Sequence, residues 1–173
     1  MATRFTDLVG CRLPIQLAAM GGVGTIELAA AVIAAGGLGM VNRSTEPAPG
    51  ACGKNFLVPF DPGIDEVRAA AGRTHVVEFF YGEPDARLVD AVHSGGALAA
   101  WQVGSAEEAS AAVEAGCDFV VAQGIEAGGH VRGTMALDEL LPRVLAAVLV
   151  PVVAAGGIAT AERVAELLGK GAD

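Results

Sequence analysis

The stretch VVAQGIEAGGHVRG, residues 120–133, sets one histidine, His130, among Gly124, Gly128, Gly129 and Gly133. An apolar run ends at Gln123, so the pattern predicts a strand that delivers a polar residue and then a loop of high backbone freedom. His130 in such a loop has two chemical uses, proton transfer and hydrogen bonding, because an unperturbed imidazole titrates near neutral pH. The bland alternative is a histidine with neither role. No Cys, His or carboxylate set at ligand spacing accompanies it, so a metal site is not expected. Glu126 and Arg132 read as solvated or supporting groups, and His75 and His93 as structural. A second candidate is Gly156-Gly157 in PVVAAGGIATAERV. Two glycines between a strand end and a helix either cradle an anion with free N–H groups or simply make a tight turn. Neither a G-x-S-x-G elbow nor a G-x-x-x-x-G-K-[ST] loop is present.

The elements that must position these residues alternate. Apolar runs at 14–20, 38–41, 55–60, 75–80, 97–104, 118–123 and 150–157 read as strands. Helical patterns lie between most of them: from Thr25 to Gly36-Gly37, after Pro84, from the Ser105/Glu108 capping box, around 137–148, and over TAERVAELLGK. The Pro- and Gly-rich segment NRSTEPAPGACGK shows no helical period and reads as a loop. Strands alternating with helices imply parallel pairing through right-handed crossovers. The final LGKGAD repeats the set-up EAGCD that precedes an earlier strand, so an eighth strand is announced and does not follow. The expected fold is an incomplete TIM (β/α)8-type barrel of about seven βα units, read as one domain over 1–173. A doubly wound open sheet is the alternative, but PIQLAAMGGVG lacks G-x-G-x-x-G. In a barrel, functional groups come from the C-terminal strand ends, which selects Met20-Gly21-Gly22, Asn55 at the start of its strand, Gln123 with the loop to His130, and Gly156-Gly157.

Composition narrows the function classes. The 173 residues carry 11 basic and 20 acidic side chains, a formal −9, which argues against nucleic acid and anionic membranes as partners. Cys11, Cys52 and Cys117 form no CxxC pair and read as inert small hydrophobes. The N-terminus lacks an apolar core of signal-peptide length, and a cytoplasmic location is expected.

The segments AAMGGVGTIELAAAVIAAGGLGMV, NFLVPF, VVEFFYGEPDARLV, DFVVAQGIEAGGHVRG and PVVAAGGIATAERVAELLGKGAD together resemble the nitronate monooxygenase family, formerly called 2-nitropropane dioxygenases. The pair AQGxEAGGHxxG and PVVAAGGI carries most of the specificity. The resemblance implies an FMN-dependent barrel that oxidises alkyl nitronates or nitroalkanes with dioxygen to a carbonyl compound and nitrite. It places Met20 and Gly21 against the flavin, Asn55 on its ring atoms, Gln123 and Gly128 at flavin-contacting positions, and Gly156 and Gly157 at the phosphate. His130 matches the base that takes the α-proton or orients the anion. The chain departs from the family in lacking a helix in NRSTEPAPGACGK and an eighth strand with a GTRF-like motif. Two other readings stand beside this one: a flavin-dependent enoyl-acyl-carrier-protein reductase, which shares EAGGH, and a truncated non-catalytic remnant. Unpaired sheet edges would offer a route to self-association.

Overall fold

In the computed structural model, which describes residues 2–173, six of the apolar runs form strands. These are β1 (Gly39–Asn42), β2 (Cys52–Leu57), β3 (Val76–Phe80), β4 (Leu98–Val103), β5 (Phe119–Gln123) and β6 (Val152–Ala155). They pair in chain order and all in parallel, which is the progression of a barrel wall. A doubly wound sheet reverses its order partway along, so that alternative is excluded. The helices are α1 (Arg4–Val9), α2 (Ile26–Ala35), α3 (Ile64–Ala71), α4 (Ala86–Gly95), α5 (Ala106–Glu114), α6 (Leu137–Ala147) and α7 (Ala161–Gly169). Among the described residues, no helix is long and apolar enough to cross a membrane.

Strand register separates two faces. Met40, Val76, Ala100, Phe119 and Val121 point into the barrel, where Phe5 and Val9 of α1 close the cluster; Phe5 meets Phe119 edge-on at 5.4 Å. The alternate residues, among them Phe56, Val77, Phe79, Trp101, Val120 and Val152, pack outward against the helices. Both faces are therefore buried, which explains why the strands read as continuous apolar runs. Each fully buried aliphatic or aromatic side chain contributes roughly 1.5–3 kcal/mol. Cys117 joins the outer core, and burial pushes its thiol up to about 12, which keeps it unreactive at neutral pH.

Several expectations change. The predicted strand 14–20 is extended chain that pairs only through an isolated bridge between Gln16 and Leu38, because β1 beside it is four residues long and starts past that bridge. Asn55 is not at the start of its strand: Cys52 begins β2, and the Pro59 region forms a 3-10 turn over Val58–Phe60 instead of more strand. Pro84 precedes α4, whose N-cap is Asp85. Helices α1 and α3 were not expected. Residues 43–51 carry no helix, and Asn42 organises the turn by accepting from the Ser44 amide at 3.0 Å and both the Ser44 and Thr45 hydroxyls.

Asp173 ties the fold together at its far end. Its carboxylate accepts from Arg4 Nε at 3.0 Å and from the Val152 amide at 3.1 Å, and its own amide donates to Val152 O. Asp173→Ala leaves the Val152 N–H without its acceptor and frees α1, so a loss of about 1–3 kcal/mol in urea unfolding is expected.

Candidate active site

The inward face of the sheet carries a polar chain across an otherwise apolar interior. Glu78, central in β3, accepts from Asn55 Nδ2 at 2.8 Å through Oε1 and from Gln16 Nε2 at 2.5 Å through Oε2. Asn55 and Glu78 are direct register partners, so the pairing of β2 with β3 puts them side by side. Glu78 is 2% exposed. Burial pushes its carboxyl above the usual carboxylate range, and the two amide donors offset this only in part. Gln16 Oε1 is buried without a hydrogen-bond partner among the described residues.

The loop after β5 forms the second part of the site. Gln123 ends the strand, and its Nε2 donates to the backbone carbonyl of His130 at 2.9 Å, which bends the glycine loop back over the strand end. The Gln123 Oε1 is buried and unpartnered among the described residues. His130 is exposed, and the Tyr81 ring meets its imidazole edge-on at 5.6 Å. Tyr81 sits at φ 67°, a left-handed conformation costly for an aromatic residue, so tertiary contacts hold it there. One of them is its neighbour Gly82, whose carbonyl accepts from Trp101 Nε1 at 3.1 Å. Arg132 pairs with Glu108 at 2.5 Å and with Glu83 at 2.5 Å, fastening the far end of the loop. Glu108 also accepts from the Gly104 amide at 2.7 Å, so only the Ser105 half of the expected capping box forms. Glu126 accepts from Leu137 N at 3.0 Å and caps α6, whose N-cap Ala136 supplies no side-chain acceptor.

The glycine turn after β6 packs against this loop. Gly156 and Gly157 have φ 115° and 65°, which only glycine adopts freely. A Cβ on Gly156 would meet Ala127 N and Gly124 O at 3.1 Å, and one on Gly157 would meet Glu126 Cβ at 3.1 Å. Glycine at 156 is therefore required by contact with the chain's own loop. Gly128, by contrast, has open space where a Cβ would stand. The same holds for Gly21, in the turn closed by Gly24 N donating to Met20 O at 2.9 Å.

The fold thus brings Gln123, Gly128, His130, Gly156 and Gly157 together at the C-terminal strand ends, and sets Asn55 in the polar chain beneath. Met20 and Gly21 follow the extended segment at the same end of the wall, without a hydrogen bond to the rest of the site among the described residues. Gln16, Glu78 and Tyr81 were missed. Glu78 had a signal: a lone acid inside HVVEFF is costly in a strand buried on both faces unless it has partners. Among the described residues, no group of three or more His, Cys, Asp and Glu side chains could hold a metal ion. The unpaired buried amide oxygen of Gln123, the open space at Gly128 and the left-handed turn at Gly156-Gly157 are of the kinds that would suit a flat heterocycle carrying phosphate.

Known proteins share this fold. The nitronate monooxygenase family matches residues 58–173. The chain is 32% identical over 99% of its length to a (3aS,4S,5R,7aS)-5-hydroxy-7a-methyl-1-oxo-octahydro-1H-indene-4-carboxyl-CoA dehydrogenase of Rhodococcus jostii, covering 52% of that protein. It is 34% identical over 91% of its length to a nitronate monooxygenase of Pseudomonas aeruginosa, covering 62% of it. Among solved structures, FabK from Thermotoga maritima superposes with a TM-score of 0.90 at 31% identity, covering 100% of this chain and 60% of that one. The nitroalkane oxidase from Streptomyces ansochromogenes gives 0.80 at 31%, covering 98% and 65%. The chain spans about half the length of the first curated relatives it matches, 52% and 49%. With its barrel-wall topology, its glycine loop and a family match over most of its length, the chain belongs to the nitronate monooxygenase family.

Proposed function

We propose that this chain, acting as one unit over 1–173, forms the flavin-facing wall of an FMN-dependent oxidoreductase that takes alkyl nitronates or nitroalkanes and dioxygen. The observation that carries this reading is the double use of Gln123: one amide atom holds the His130 carbonyl while the other stays buried and unpaired beside the loop. Asn55, Gln123, Met20, Gly21 and the backbone at Gly128 would hold the flavin ring, and Gly156-Gly157 the phosphate. FMN, when bound, would supply electron acceptance and the reaction with oxygen. The protein supplies position and a base. His130 takes the α-proton of a neutral nitroalkane at its imidazole nitrogen, and Tyr81 limits where that ring can turn. Exposure suits this role, because a water-accessible imidazole can hand its proton to solvent after each turnover.

A thioester substrate is the second reading. It is favoured by the carboxyl-CoA dehydrogenase relative that matches 99% of the chain, and by the EAGGH segment shared with enoyl-acyl-carrier-protein reductases. Oxygen-electrode traces separate the two. Oxygen uptake and nitrite release with a short alkyl nitronate are expected. NADH oxidation driven by an enoyl thioester, with no oxygen uptake on the nitronate, would transfer the assignment to the second reading.

A further inference from the structure

Glu78 is an acid enclosed in the barrel interior, and the chemistry above does not use it. Its polar neighbours there are two neutral amides, Gln16 and Asn55, and no ion pair involving it forms among the described residues. A buried carboxylate without a cation is costly. A second cost lies next to it, the unpartnered Gln16 Oε1. One proton removes the first. A neutral carboxyl has a hydroxyl to donate as well as a carbonyl to accept. Which end of a glutamine amide carries nitrogen follows from its hydrogen-bond network. With the Gln16 amide turned over, the Glu78 hydroxyl donates to the Gln16 oxygen while its carbonyl still accepts from Asn55 Nδ2. The Gln16 amino group then takes the place of the unpartnered oxygen, so the atom left there for a ligand to meet is a donor, and the Asn55 oxygen points away from Glu78.

We propose that Glu78 is a positioning residue of this site: as a neutral acid it fixes which way round the Gln16 and Asn55 amides point, and so which hydrogen-bonding atoms the barrel interior offers to a bound ring. The link to a ring rests on the flavin reading; the protonation and the amide orientation do not. The upward shift of the Glu78 carboxyl on burial agrees with the geometry. A neutral group also keeps negative charge away from a site proposed to receive electrons.

The test has flavin-free and flavin-bound arms, run on the whole chain. In flavin-free protein at neutral pH, the infrared difference between wild type and Glu78→Gln is expected to show a protonated-carboxyl C=O band. A carboxylate band in its place would overturn the proposal. Side-chain amide protons of Asn55 are expected to exchange slowly in wild type and Glu78→Gln, and rapidly in Glu78→Leu. Fast exchange in all three would overturn the positioning role. FMN titrations followed by fluorescence quenching are expected to leave Glu78→Gln within about twofold of wild type and Glu78→Leu about tenfold weaker, the loss of one oriented hydrogen bond. Equal affinity in all three would also count against the proposal. Wild-type protein that ignores FMN while showing the acid band would sink the flavin reading and leave the neutral Glu78 standing. Should Glu78→Leu fail to fold, Glu78→Met replaces it in the exchange arm.

Discussion

His130→Ala is expected to lower turnover of a neutral nitroalkane by about 10²–10⁴-fold while leaving bound flavin in place, the usual size of a lost general base. The two outcomes separate because His130 is held through its backbone. Gln123 Nε2 grips the His130 carbonyl, which alanine retains, so the loop keeps its path when the imidazole goes. Proton abstraction needs the imidazole itself. A preformed nitronate has already lost its α-proton, so the same variant should oxidise it with a much smaller defect. Steady-state rates on both substrate forms, with the visible flavin spectrum as the binding control, check this. Equal losses on both forms would show that His130 orients the anion and does not act as a base. Loss of the flavin spectrum would make it a structural residue of the loop.

The largest stability effect is expected at Trp101. It is 1% exposed in the outer core, stacks on Phe79 with ring centroids 4.9 Å apart, and donates to Gly82 O. Trp101→Ala removes a large buried ring and is expected to cost about 3–5 kcal/mol, a large share of the total stability of a domain. Trp101→Phe is the informative companion. It keeps most of the packing but deletes the N–H to Gly82, a hydrogen bond of about 1 kcal/mol. Gly82 follows Tyr81, whose left-handed backbone needs external support. The Phe variant should therefore melt only slightly lower yet loosen the Tyr81–His130 contact. Urea unfolding measures the first effect, and the histidine ring resonances in the flavin-free protein report the second. A Phe variant that loses as much stability as the Ala variant would show that the hydrogen bond, not the ring, dominates.

The local elements were readable because their signals are local. Thr25 caps α2 by accepting from Leu28 N at 3.2 Å, and Gly36 stops that helix in a left-handed conformation. Ser105 and Thr160 do the same for α5 and α7. In α3, Ile64, Val67 and Ala71 recur at helical spacing after Pro62-Gly63, a short period flanked by stronger strand signals. The segment 14–20 failed for a different reason. Its composition is that of a buried strand, but regular pairing depends on its neighbour, and its one bridge is to Leu38, just before β1. Within the site, the loop bearing His130 and the turn at Gly156-Gly157 announce themselves through glycine. The partnership of Gln16, Glu78 and Asn55 does not, because residues 16 and 78 meet only through the register of three separate strand segments. Tyr81 had no sequence signal, since a left-handed aromatic residue is not foreseen from residue type.

Glycine at these positions has two distinct causes. At Gly156 the constraint is internal, because the chain's own Gly124–Ala127 turn fills the space a side chain would need. At Gly128 nothing stands where a side chain would go.

The most direct test is FMN binding by the chain over 1–173. Purified protein incubated with FMN and desalted is expected to stay yellow, with flavin fluorescence quenched in a titration that saturates at one FMN per chain. Colourless protein with unquenched flavin at every concentration would contradict the account and leave the chain a non-catalytic remnant of its family.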